Sequence, residues 1–130
     1  MSNSGAYENE IAAAMTCLDE FMTAFNARDV EAFEKTFNFP SVRIASNKLA
    51  IIEKGHHHPG MFDRGALKDW HHSGWNRRKV IHAGKDKVHI DTRFTRYRAD
   101  GSVLGEFDSV YVVTDEGSHW GIKARSSYAP

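Results

Sequence analysis

Phe25-Asn26-Ala27-Arg28-Asp29-Val30-Glu31-Ala32-Phe33 reads as a tight corner between two helices, and the rest of the chain is organised around it. Upstream, Ile11, Ala14, Met15, Leu18, Phe21, Met22 and Phe25 recur at steps of three and four. That spacing predicts one amphipathic helix over residues 8–26 with a single apolar stripe. Asn26 to Arg28 then form the turn. Asp29 is a good N-cap for a short second helix whose apolar face is Val30, Phe33 and Phe37, and Pro40 ends it.

Downstream, residues 42–45 and 49–53 predict two strands around the turn Ser46-Asn47-Lys48. Lys54-Gly55-His56-His57-His58-Pro59-Gly60 is a loop by its glycine and proline content. Asp63 is placed to cap a third helix over residues 64–73, with Leu67, Trp70, His71 and Gly74 along one side. From residue 77 the pattern changes to four long strands, over residues 77–83, 87–96, 103–114 and 119–127. Gly84-Lys85-Asp86, Arg98-Ala99-Asp100-Gly101 and Asp115-Glu116-Gly117 separate them, and such short connections force antiparallel pairing. Helices first and a meander afterwards make the class α+β. The expectation is a loose tail over residues 1–7 and one domain over residues 8–130.

Composition narrows the function classes. At 130 residues the chain is long enough for one core without disulfides or metals. Lys plus Arg and Asp plus Glu each number 17, so no strong basic field is available for a nucleic-acid backbone. Arg77-Arg78-Lys79 is too short to supply one. A single cysteine, Cys17, excludes an internal disulfide and both common zinc-ribbon patterns. No apolar run approaches the roughly 20 residues that cross a bilayer, and no signal peptide is visible. The expectation is a cytoplasmic protein without nucleic-acid or membrane partners and without a cofactor.

The corner, the element order and the ending Trp120-Gly121-Ile122-Lys123-Ala124-Arg125-Ser126-Ser127 together resemble the nuclear transport factor two-like superfamily over residues 8–128. That superfamily includes ketosteroid isomerase, SnoaL-like polyketide cyclases, scytalone dehydratase and the small subunits of ring-hydroxylating dioxygenases. The resemblance implies a cystatin-like α+β fold. In it a curved, mostly antiparallel sheet of about six strands wraps three helices into a cone with one pocket. It also implies a homodimer formed through the outer sheet face. The implied function is a SnoaL-like pocket for a small hydrophobic or carbonyl-bearing molecule, with acid/base isomerase, cyclase or dehydratase chemistry. The alternative is a non-catalytic ligand-binding or assembly domain like the dioxygenase small subunits.

Isomerase-like members use a tyrosine on the first helix and an aspartate after the second. Matching the Asn26-Ala27 turn places these positions on Phe21 and Ala45, which can neither stabilise an oxyanion by hydrogen bonding nor accept a proton. The resemblance places a further acid on Asp108, and period two puts it on one strand face with Glu106, Val110 and Val112. That face is partly apolar and is expected to point inward, making Asp108 the candidate catalytic acid. His71 is its expected partner on the third helix, and Arg125 the expected clamp for an anion, on one side of the last strand with Lys123 and Ser127. Phe21, Phe25, Trp70 and Val110 complete the expected pocket wall. His56-His57-His58 point in different directions and are expected to bind no metal. His89, Asp91 and Arg93 share one face of their strand. An arginine–aspartate cluster there is similar to the epoxide-hydrolase branch of the superfamily. That branch also needs an acid on the last strand, where this chain has Arg125, so a salt-linked outer ladder is the better expectation. Cys17 is expected to be packing.

Overall fold

A computed structural model describes residues 6–130. The expected tail over residues 1–7 therefore lies outside the described residues except for Ala6 and Tyr7. Helix α1 spans Glu8–Asn26 and α2 spans Val30–Glu34. Asp29 caps α2, its side chain accepting a hydrogen bond from the Ala32 N–H. The strands are β1 (Phe37–Ala45), β2 (Lys48–Ile52), β3 (His72–Ala83), β4 (Lys87–Tyr97), β5 (Val103–Glu116) and β6 (His119–Ser127). They form one sheet in the order β2-β1-β6-β5-β4-β3, and only the β1–β6 pair is parallel.

Four elements differ from expectation, β1 among them, since it starts at Phe37 rather than at residue 42. Helix α2 stops at Glu34 rather than running on to Pro40, because Thr36, Phe37 and Phe39 favour extended backbone. Thr36 Oγ1 closes the helix end by donating to the Phe33 carbonyl. The third helix does not form. Residues Pro59–Asp63 and Gly65–Leu67 make two short 3-10 turns instead, and Gly65 sits at φ 62°, outside the right-handed helical region. Strand β3 consequently starts at His72, earlier than residue 77.

Alternation along β4 is sharp. Val88, Ile90, Thr92 and Phe94 are buried, while His89, Asp91 and Arg93 face the other way. The buried row meets α1 through Ala14, Cys17, Leu18 and Phe21. Phe21 lies within aromatic contact of Phe25, Phe33, Phe37 and Tyr111, at centroid distances of 4.9 to 6.5 Å. These rings belong to the buried core between α1 and the sheet. Cys17 is packing: burial pushes its thiol up to about 12, far from a reactive thiolate. Among the described residues no helix is long and apolar enough to cross a membrane.

Candidate functional site

Register decides which side chains meet. Strand β5 pairs with β4 so that Asp108 lies opposite Arg93 and Phe107 opposite Phe94. Opposed residues share a sheet face. Arg93 faces outward, so Asp108 does too, and the inward residues of β5 are Ser109, Tyr111 and Val113, which are buried. This corrects the expectation for Asp108 and for Val110, which lies on the outer face with it. The physical reason is that Tyr111, Val113 and Phe107 bury more apolar area than Val110 and Val112.

On the outer face Asp108 accepts from Arg93 Nη1 at 3.0 Å and Arg77 Nη2 at 3.3 Å. Arg93 also reaches Glu106, and Arg77 reaches Asp91. The Arg93 hydrogen bond, aided by the charges of Arg93 and Arg77, holds the Asp108 carboxyl below its ordinary value. A proton shuttle would need the opposite shift. His71 does not join it. With no third helix to carry it, His71 is exposed and its Nδ1 lies 3.0 Å from that of His72. Trp70 is buried structure: its Nε1 donates to Ser73 Oγ, and its ring packs on Phe25 beneath the Arg28 guanidinium.

The concave face carries a different set. The β1–β6 register sets Arg43 opposite Arg125, and the β5–β6 register sets Tyr111 opposite Arg125. Arg96 arrives from the far end of β4 and is only 8% exposed. A hollow of about 240 Å³ is lined by all three arginines together with Phe25, Met61 and His57. A smaller recess of about 40 Å³, walled by Phe21, Phe94 and Tyr111, shares Phe25, Arg96 and Arg125 with it. A larger groove of about 710 Å³ lies on the other side of His57, between α2 and β1, and is open to solvent; no arginine lines it.

No carboxylate side chain lines the arginine hollow. Among the described residues the ion pairs of arginine use Arg77, Arg78 and Arg93, never Arg43, Arg96 or Arg125. Arg43 donates to the Ala129 carbonyl and, weakly, to Ser127 Oγ, and Arg96 to the Pro130 oxygen. The buried Nε atoms of both have no partner. Burial, then the like charges of Arg125 and Arg43, push the Arg96 guanidinium down to about 10, which leaves it charged at neutral pH. Burial and Arg125 lower Arg43 as well. Arg125 itself lies 5.8 Å from the ring centroids of Phe21 and Tyr111. Of the site residues expected from the sequence, the hollow and its recess thus bring together Arg125, Phe21 and Phe25, with Ser127 holding Arg43 at the rim. The sequence reading missed Arg43, Arg96 and Glu34; it placed Tyr111 only in the core or pocket wall and His57 only in a polar loop.

Glu34 and His57 form a second, adjoining arrangement. Glu34 Oε2 lies 2.6 Å from His57 Nδ1 and accepts from the His57 backbone N–H, while Oε1 accepts from the Gly55 N–H at 2.7 Å. Burial raises the Glu34 carboxyl, but these donors outweigh it and leave it below its ordinary value. Burial lowers the His57 imidazole more than Glu34 raises it, so the ring is neutral at pH 7. His56 is exposed, and His58 caps the following turn through Nδ1. Among the described residues no group of three potential ligands could hold a metal ion.

Solved structures match the whole fold. A protein of unknown function with a cystatin-like fold from Nostoc punctiforme superposes with a TM-score of 0.77 at 13% identity, over 95% of this chain and 92% of that one. An NTF-2 like protein of unknown function from Shewanella oneidensis gives 0.73 at 12% identity, over 92% and 98%. A ketosteroid isomerase-like protein from Erwinia carotovora atroseptica gives 0.69 at 14% identity, over 93% and 96%. No curated protein matches the sequence. A family model described as NTF2-like protein (DUF6841) matches residues 9–130, and the chain belongs to that family.

Proposed function

We propose that the chain binds a small molecule that carries an anionic group, a carboxylate or similar oxyanion, on a flat apolar body. The observation that carries this reading is the convergence of Arg43, Arg96 and Arg125 on one hollow without a carboxylate side chain among its walls. Three guanidiniums held together at a cost in repulsion and desolvation are stabilised when an anion enters. The orphaned Nε atoms of Arg43 and Arg96 support the same reading, since buried donors of this kind normally find a partner. Phe21, Phe25 and Phe94 supply apolar contact for a ring. At about 240 Å³ the hollow lies below the roughly 300–1,000 Å³ of drug-sized ligand sites, which favours a small occupant.

Calorimetric titration with benzoate and with benzamide tests this reading, because the two share shape and differ in charge. Benzoate is expected to bind at least tenfold more tightly. Equal affinities, or no binding of either, remove the anion site.

The outer sheet face is proposed as the surface on which two copies pair. Its exposed alternating charges, Arg77, Asp91, Arg93, Glu106 and Asp108, support this, since such a row can be self-complementary about a two-fold axis. Light scattering on the Asp91→Arg, Asp108→Arg double variant is expected to give the monomer mass. Its benzoate affinity is expected to be unchanged, because both residues lie outside the hollow. A dimer that survives the double substitution, or a wild type that is already monomeric, rules the surface out.

A further inference from the structure

We infer that His57, oriented by Glu34, is a general base facing the arginine hollow, and that it takes a proton from the carbon beside the carbonyl of a bound anionic keto compound. This rests on the reading of the hollow as an anion site.

The geometry assigns the hydrogen. A carboxylate only accepts, so the 2.6 Å contact to Glu34 Oε2 places the imidazole hydrogen on Nδ1. That leaves the Nε2 lone pair available, and Nε2 has no hydrogen-bond partner among the described residues. The ring is held by more than one bond. Phe33 meets it edge-on at 4.8 Å and Phe37 lies at 5.1 Å. The side chains of His57 and Glu34 are 11% and 14% exposed, so bulk water competes little for the pair. His57 lines the same hollow as Arg43, Arg96 and Arg125; no carboxylate side chain does, and the other imidazole there, His56, is exposed and lacks an orienting acid among the described residues.

The surroundings fit proton abstraction from carbon. The charged and titratable groups around the imidazole are Glu34 from α2, His56 from its own loop, Arg125 from β6, Arg43 and Arg96 across the hollow, and Glu31, Lys35, Lys54 and His119 along the groove on which His57 also borders. In the step, the C–H bond breaks and its proton passes to Nε2. The freed pair forms the carbon–carbon double bond, and the carbonyl pair moves onto oxygen, where the guanidiniums offset the charge. Glu34 offsets the charge of the imidazolium so formed, as the orienting acid of a catalytic triad does. The proton then returns to carbon or to the enolate oxygen. No oxidant, reductant or co-reactant is consumed.

Phenylpyruvate in deuterated water is the probe, since its benzylic protons exchange through this enolate and are read by proton NMR. Wild type is expected to accelerate exchange at least tenfold over buffer. His57→Gln is expected to lose that acceleration while binding phenylpyruvate within about threefold of wild type. General bases contribute about 10²–10⁴-fold, so the loss is readable. A base with a lowered pKa works above that value and fails as pH falls through it, so the acid limb is expected below the ordinary imidazole value of about 6.5. Glu34→Gln is the second variant. It removes the charge that raises His57, so the acid limb is expected to move further down, together with a slower plateau. Exchange that persists in His57→Gln overturns the assignment. Phenylpyruvate that binds to wild type without accelerated exchange overturns it too, and leaves the anion site standing. Failure of phenylpyruvate to bind at all overturns the assignment, and the anion site falls with it only where benzoate also fails to bind.

Discussion

Arg125→Met is expected to lower benzoate affinity by roughly 10- to 100-fold while leaving the thermal midpoint unchanged or higher. Affinity falls because a charge-assisted hydrogen bond to an oxyanion contributes about 1.5–3 kcal/mol. Stability does not fall with it, because Arg125 has no ion-pair partner to lose among the described residues. Its charge instead lowers the guanidiniums of Arg96 and Arg43, which records repulsion among the three. Methionine keeps an unbranched apolar stem against Phe21 and Tyr111, where the arginine now lies. Opposite signs on binding and stability are what a functional site held at a cost predicts. Calorimetry and a thermal melt on one preparation read both. A variant that loses stability and keeps affinity would make Arg125 a structural residue and move the anion elsewhere.

How much of this could be read from the chain depended on the range of the signal. The α1 stripe and the alternation on β4 are local and strong, and both were legible. On β5 the local signal was ambiguous, since β-forming residues occupy both parities: Val110 and Val112 on one, Phe107, Tyr111 and Val113 on the other. Pairing with β4 settled it by setting Asp108 against the outward Arg93. That argument needs a register, which composition does not supply. The missing third helix had a visible cause in Gly65, which Leu67 and Trp70 at helical spacing concealed. The site itself was the least legible part. Arg43, Arg96 and Arg125 lie on three strands and meet only when parallel β1–β6 pairing closes one side of the sheet. His57 is one of three consecutive loop histidines, and its contact with Glu34, twenty-three residues earlier, sets it apart.

That parallel pairing carries the other large expected effect. Gly121→Ala is expected to destabilise the fold by about 3 kcal/mol, or roughly 10 °C in thermal midpoint for a chain of this size. A Cβ on Gly121 would lie 2.7 Å from both the Asn38 nitrogen and the Phe37 carbonyl carbon. Those are backbone atoms of β1, so no rotamer change relieves the clash and the strand itself must move. The junction has little slack. The Ile122 N–H donates to the Thr36 carbonyl at 2.8 Å, and the Asn38 amide donates to the carbonyls of Thr114 and His119. Gly105→Ala is the control. Its Cβ would meet the Phe107 ring at a comparable 2.6 Å, but a ring at the end of a side chain can turn away, so a loss under about 1 kcal/mol is expected. Because β1 carries Arg43 in register with Arg125, the folded fraction of Gly121→Ala should also bind benzoate more weakly, while Gly105→Ala should not. Equal melting points for the two variants would mean that β1 and β6 can separate freely. The arginine row would then lack the rigid frame that an anion site requires.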